Sequence, residues 1–310
     1  MPASKVVLLQ QKSTFDRPHD YKCCYNITPN LTNTPISVPQ NLHRRHILSL
    51  APLISTLLIP PAHSKSKPAS SSDTITVSEG QSISQAIAAA QDYATIIITP
   101  GTYKERLVIS RPVTLITAAR GEDDLTTTTT LLWSTNDHYE SVINIKSPGV
   151  VVSGLNIQHS SPSIADNFAV KIEAGDVQLL NCTVSSKTGT GIGIETPGSS
   201  GSGNTVILNE CIIKDCNLNG IGVFGEGTGA EIVGCEIECN KGDGVLVGDG
   251  AVPIIEGCTI IENKKYGLRF RDCGGEVKGN VVKRNGMGAV EFRLLRDVVL
   301  EEQLLALRGG

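Results

Sequence analysis

Glu173 and Glu195 are the residues of this chain best suited by type to acid–base work. When the short Val- and Ile-rich strands of the second half are aligned, the two carboxylates fall in one outward column, a single coil apart. Their expected separation of about 5 Å is that of a retaining glycosidase, in which one carboxyl is the acid and the other the nucleophile. The column continues through Phe224, Gly248, Arg271 and Arg293, and its neighbour reads Lys171, Gly193, Gly222, Leu246, Arg269 and Glu291. Arginines so placed could hold an acidic sugar, and Phe224 could stack on a ring. The same residues also fit a plain solvated sheet face, with Arg269 and Glu291 as an exposed cross-strand pair contributing under about 1 kcal/mol.

Thiols and imidazoles are the other candidates. Cys182, Cys211, Cys235 and Cys258 share a column with Leu155 and Asn280, at steps of 27, 29, 24, 23 and 22 residues. Cys211/Cys216 and Cys235/Cys239 have loose metal-like spacing but no histidine nearby, so the expected role is inward packing, with no metal and no other cofactor. A second column, Asn217, Asn240, Asn263 and Asn285 at steps of 23, 23 and 22, is expected to be a ladder of turn amides. His159 beside Ser160 and Ser161 suggests nucleophilic chemistry, yet no partner acid or Gly-rich elbow accompanies it, and it reads as a loop histidine.

The elements that must position these residues follow from the repeat itself. Self-similarity at 20 to 50 residues marks a solenoid, in which each repeat is stable only when neighbours cover it. Every repeat holds two or three strands of three to six residues, separated by Gly, Asn or Asp turns, with no room for a crossover helix. The fold class is therefore all-β, a single-stranded parallel β-helix of about eight coils counted from Ile96, about 38 Å long at about 4.8 Å per coil. Alternation places Ile192, Ile194, Ile221, Val223, Val245, Val247, Leu268, Phe270, Val290 and Phe292 inside.

An open rod needs covered ends. Ser82 and Gln85 fit a capping box, so residues 82 to 92 are read as a helix over the first coil, and the period of DVVLEEQLLALR from Asp297 predicts a C-terminal helical cap. Two insertions lengthen their coils, Thr126 to Thr130 with Asn136, Asp137, His138 and Tyr139 beyond it, and Thr196 to Asn204. Loops on a rigid scaffold commonly carry binding.

The repeat domain is expected over 75–310, after a linker at 65–74. Residues 1–43 are basic, rich in Ser, Thr, Asn and Pro, and without apolar period, a transit-peptide composition. Residues 44–64 then combine Arg44 and Arg45, the apolar run Ile47 to Ala62 and a small-residue exit at Ala62 and Ser64. The run is too short and too Pro-rich for a stable membrane span of about 20 residues. This order resembles the bipartite presequence of thylakoid-lumen proteins, with the twin-arginine route for folded cargo; secretion or an endomembrane address is the alternative. The chain has 27 basic and 31 acidic residues, and loss of the six basic and two acidic ones before Lys65 leaves a net charge of −8. No nucleic-acid partner is expected.

The segment from Val77 to Ile116, with Gly80, Ile83, Ala86, Ile87 and the run Pro100-Gly101-Thr102-Tyr103-Lys104-Glu105, resembles the opening of pectin-methylesterase-like and polysaccharide-lyase-like chains. The later Cys-x-Ile, Asn and Gly-Ile pattern is similar to the repeats of F-box β-helix proteins and of the carbohydrate-binding and sugar-hydrolase class. Over about residues 75 to 295 the chain thus resembles the right-handed parallel β-helix group, the pectin-lyase-like superfamily. The resemblance implies the fold, and that fold hosts lyases, hydrolases, esterases, epimerases and binders alike. The aspartate cluster with His-Gly and Arg-x-Lys of similar polygalacturonases, the Gly-Asp-x-Asp-Phe-type strand of pectin methylesterases and the acidic calcium cage of pectate lyases have no counterpart here.

Three functions are therefore weighed. The first is a non-catalytic β-helix of the thylakoid lumen that offers a flat face, with Lys171, Phe224, Arg269, Arg271, Glu291 and Arg293, to a protein or polysaccharide partner. The second is a carbohydrate-active enzyme, a polysaccharide lyase or glycoside hydrolase, using Glu173 and Glu195. The third, a metal-delivery protein, lacks exposed His, Met or Cys in number.

Overall fold

The computed structural model describes residues 73–118, 128–162, 167–196, 198 and 205–300, with side chains as far as Arg293. Residues 1–43, the signal-like 44–64 with Arg44, Arg45, Ala62 and Ser64, and most of the 65–74 linker lie outside the described residues.

From Thr74 the chain winds through three faces. The first face stacks Thr74–Val77, Ala94–Ile98, Val113–Thr117, Val150–Ser153, Val177–Leu180, Val206–Asn209, Ala230–Val233 and Ile254–Glu256. The second stacks Gly101–Tyr103, Thr129–Ser134, Asn156–Ser160, Thr183–Ser186, Ile212–Lys214, Glu236–Glu238, Thr259–Ile261 and Val281–Lys283. The third stacks Leu107–Ile109, Ile143–Ile145, Phe168–Ile172, Thr190–Glu195, Ile221–Phe224 and Val245–Gly248. The long strands Tyr266–Lys278 and Gly288–Leu300 run along the third face and on to the first, so these two faces form one continuous sheet and the second face a separate one. All pairing is parallel, and counting from Ala94 gives eight coils.

Alternation decides the interior. Ile192, Ile194, Ile221, Val223, Val245, Val247, Leu268 and Phe270 are fully buried, while Val290 and Phe292 pack on the core from the last coil, Phe292 stacked on Phe270 at 5.3 Å. Burial of each such side chain contributes roughly 1.5–3 kcal/mol. The corner between the first and second faces is turned by one left-handed residue per coil: Gly154, Asn181, Glu210, Gly234, Gly257 and Gly279. Residues without a Cβ, or with a short amide, adopt that conformation at least cost. The next residue in each coil points inward, and these are Leu155, Cys182, Cys211, Cys235, Cys258 and Asn280, all buried. Cys211, Cys235 and Cys258 each direct Sγ at a carbonyl of the preceding coil, of Leu179, Leu208 and Ile232, and Asn280 Nδ2 donates to Ile255 O in the same way. The thiols are therefore part of the stack, and burial pushes the nearby Cys216 up to about 12, far from a reactive thiolate.

The amide ladder is real but displaced at one rung. Asn240 donates to Asn263 Oδ1 at 2.9 Å and Asn263 to Asn285 Oδ1 at 3.0 Å. The rung before Asn240 is Cys216, whose N–H donates to Asn240 Oδ1, and not Asn217 as the sequence steps imply. Asn217 turns outward and accepts from Lys241 Nζ.

One expectation at the ends changes. The helix α1 covers Ile83–Ala89, shorter than 82 to 92, with Ser82 Oγ accepting from Gln85 N as expected. Glu105, across the coil, takes the Ile83 and Ser84 N–H groups, because a carboxylate satisfies two donors at a helix start. At the other end Val298–Leu300 are strand, paired with Gly275–Val277, and the rest of the helical cap expected from Asp297 falls on residues 301–310, which lie outside the described residues. No helix among the described residues is long and apolar enough to cross a membrane.

Candidate binding face

On the third face the coils align as the alternation predicts. Lys171 pairs with Gly193, Gly193 with Gly222, Gly222 with Leu246, Leu246 with Arg269 and Arg269 with Glu291. In the other column Glu195 pairs with Phe224, Gly248 with Arg271 and Arg271 with Arg293. The face divides into three parts along the rod.

The first part is a closed ion cluster. Lys171 Nζ lies 3.0 Å from Glu173 and 3.2 Å from Glu195, and Lys146 approaches Glu173 at 3.8 Å. Burial works to lower the Lys171 pKa, but the bonds and charges of the two glutamates together outweigh it and hold that pKa above the ordinary lysine value. Beneath Lys171 in the column sits Asn144, buried, whose Oδ1 has no hydrogen-bond partner among the described residues.

The middle part is a glycine floor with rings laid on it. A Cβ at Gly193 would meet the Phe168 ring at 2.4 Å and one at Gly222 the Phe224 ring at 2.5 Å. Phe224 also flanks Gly248 at 3.5 Å, so it lies flat over the sheet with part of its surface open.

The last part corrects the expectation of an exposed Arg269–Glu291 pair. Their side chains are only 12% and 16% exposed, and Arg269 also bonds buried Asp243 at 3.5 Å and rests on the Tyr266 ring at 5.5 Å. Asp243 in turn accepts from Tyr266 N, so the network fixes the turn before its strand. Sequence spacing missed Asp243 because it belongs to the turn of the preceding coil. Arg293 pairs with Glu291, whereas the exposed Arg271 side chain makes no hydrogen bond or ion pair among the described residues.

His159 is not in a loop. It lies in the strand Asn156–Ser160 and is 2% exposed. Its Nε2 faces the Glu140 carbonyl at 2.8 Å, which can only accept, so Nε2 carries the proton and Nδ1 accepts from Ser186 Oγ at 2.8 Å. Ser186, fully buried, also accepts from Gly189 N, which leaves no free hydroxyl for nucleophilic attack. Burial lowers the His159 pKa below its usual 6.5, and the Glu140 bond only partly offsets this. The unfolded chain then binds the proton first, so His159 stabilises the fold fully above about pH 6.5 and progressively less as pH falls toward its folded pKa. Thermal melts of the protein and of His159→Asn should show a stability gap that narrows as pH drops from 7.5 to 5; a constant gap would contradict the buried neutral imidazole.

The insertion residues Thr126 and Thr127, and most of Thr196 to Asn204, lie outside the described residues; Asp137 sits in a bend and Tyr139 in the turn after it, with Tyr139 exposed. On the second face, a groove of about 450 Å³ is lined by Asn156, Gln158, Thr183, Ser185, Lys214 and Asp215 among others. Its outward columns Asn156/Thr183 and Gln158/Ser185 are uniformly polar, the only signal of it in the sequence. No group of three or more His, Cys, Asp or Glu among the described residues is arranged to hold a metal ion.

The chain is similar in fold to the pectin methylesterase of Aspergillus niger, with 15% identity over 75% of this chain and 86% of that one at a TM-score of 0.54 in the deglycosylated form. The penultimately deglycosylated form of that enzyme matches at 16% identity, 76% and 88% coverage and 0.51. Carrot pectin methylesterase matches at 12% identity, 76% and 84% coverage and 0.53. No curated protein sequence matches the chain. At such identities these likenesses speak for the fold alone. The family described as "Right handed beta helix region" matches residues 141–301, more than half of the chain, and with eight parallel coils stacked on three faces the chain belongs to the right-handed parallel β-helix family.

Proposed function

We propose that the chain is a non-catalytic β-helix that binds a glycan or protein partner along its third face. The observation that carries this reading is the shared lysine: Glu173 and Glu195 both grip Lys171. A retaining pair needs one carboxyl free to deliver a proton and the other free to attack, and here both are committed to one ammonium. What the face offers a ligand is Phe224 for stacking, the Gly248 floor and Arg271, whose guanidinium fits a carboxylate or sulfate. The order of the N-terminal segments supports a thylakoid-lumen address, which detection of the protein in a purified lumen fraction would test. The net charge of −8 after residue 64 disfavours nucleic acid as partner.

The likeness in fold to pectin methylesterases favours a second reading, a carbohydrate-active enzyme on the same face. One experiment separates the two. The protein, Glu195→Gln and Arg271→Glu are offered acidic and neutral polysaccharides and a chloroplast extract, and both turnover and capture are measured. The expected result is no turnover, capture retained by Glu195→Gln, and capture weakened about tenfold or more by Arg271→Glu, equivalent to about 1.4 kcal/mol. Turnover that disappears in Glu195→Gln would replace the binding reading with the enzyme.

A further inference from the structure

The outer side of the first face carries a pattern that the third-face reading does not use. Each strand there has two outward positions, and from the second coil to the seventh one of them is apolar and the other polar. The apolar residue changes column at every coil: Ile116, Val151, Leu180, Ile207, Val233, Ile254. All six are half-buried rather than covered. The complementary positions hold Thr114, Ser153, Gln178, Asn209, Glu231 and Glu256. Within either column, then, apolar side chains recur at every second coil, about 9.6 Å apart.

Such a checkerboard matches itself under one operation. A two-fold axis parallel to the strands and passing over the fourth coil reverses the rod but keeps each column facing its own kind. Leu180 then meets Leu180 of the second copy, Val151 meets Ile207 and Ile116 meets Val233. The polar positions meet one another too, Gln178 with Gln178, Ser153 with Asn209 and Thr114 with Glu231. No like charges face each other across these five coils. An axis over the fifth coil also matches apolar to apolar, but it brings Glu256 with its Lys278 partner into the contact as well as Glu231, and removing a further ion pair from water costs free energy. An axis between coils sets every apolar side chain against a polar one. The isologous contact is thus specified by the parity of the pattern.

We infer that the first face is a self-association surface, through which two copies of this chain pack back to back with their rods antiparallel and Leu180 on the two-fold axis. Five coils of four-residue strands give a contact about 24 Å by 13 Å. That is small beside a standard interface of about 1,600 Å², so the dimer is weak and concentration-dependent. It leaves both third faces outward, and it stands or falls independently of what those faces bind.

The test uses charge at the axis. Sedimentation velocity of the full chain should show a shift from monomer to dimer as concentration rises. Leu180→Lys and Leu180→Glu each place like charges opposite one another, and each should be monomeric at concentrations where the unaltered protein is dimeric. Mixed in equal amounts they should regain the dimer, since lysine then faces glutamate. Because Leu180 points away from the core, circular dichroism of both variants should match the parent. A parent that stays monomeric at every concentration would overturn the inference and leave the face to a different protein. Variants that dimerise as the parent does, or that fail to recover on mixing, would equally overturn the placement of Leu180 on the axis.

Discussion

Replacing Asn263 by alanine is expected to lower the unfolding free energy by roughly 3–5 kcal/mol. Asn263 is 1% exposed and stands mid-ladder. Its Oδ1 accepts from Asn240 N at 3.1 Å and Asn240 Nδ2 at 2.9 Å, and its Nδ2 donates to Ile237 O and Asn285 Oδ1, each at 3.0 Å. Alanine deletes all four bonds and leaves the Asn240 N–H and the Ile237 carbonyl buried without their partner. Each such group costs about 1–3 kcal/mol. The control is Asn217→Ala. Read from spacing alone, Asn217 is a rung like the others; in the structure it accepts from Lys241 at the surface and donates only one long bond, 3.5 Å, to Thr188 O, and its loss should change stability by under about 1 kcal/mol. Equilibrium urea unfolding of the two variants decides between these placements, since equal losses would restore Asn217 to the ladder.

A second large effect is expected from one added methyl group. Gly244→Ala should destabilise the protein by about 3 kcal/mol, at the upper end for overpacking. Its Cβ would stand 2.6 Å from the Gly267 carbonyl oxygen and 2.6 Å from Ile260 Cγ2. The same collision recurs along the rod, with Gly191 against Gly220 O at 2.7 Å and Gly220 against Gly244 O at 2.7 Å. A carbonyl held in a parallel ladder has no rotamer to escape into, so relief requires moving a coil. Gly248→Ala provides the comparison: its nearest neighbours would be Phe224 Cδ1 at 3.5 Å and Arg271 O at 3.6 Å, ordinary contacts, with a change of under about 0.5 kcal/mol. Thermal melts that rank the two alanines in the opposite order would refute the close-approach account.

Much of the arrangement was legible in the sequence because a β-helix has short-range rules. Side chains alternate with period two, and the Gly-bearing corners mark where each strand begins, so the outward columns through Lys171 and Glu195 came out in their observed register. The Cys column did as well, and its 24-residue step from Cys211 to Cys235 already signalled that the Asn step of 23 was one short. Cys216 fills that slot, a substitution of thiol for amide that no residue-type pattern reveals. His159 lies on the inward side of the strand Asn156–Ser160 with Ile157, as alternation requires, although its polar neighbours Ser160 and Ser161 resemble a loop.

Fold class, coil period and the inward or outward side of most strand residues thus follow from the sequence alone, since alternation links adjacent residues and the turn-bearing corners recur once per coil. Which charges are joined, and which surface is left open, was decided only by the tertiary structure. Lys171 reaches Glu195 across 24 residues, and Arg269 reaches Asp243 and Glu291 across 26 and 22. Those partners are chosen by the vertical stacking of coils whose lengths differ. The first-face checkerboard appears for the same reason: its parity exists only once unequal repeats have been brought into one register.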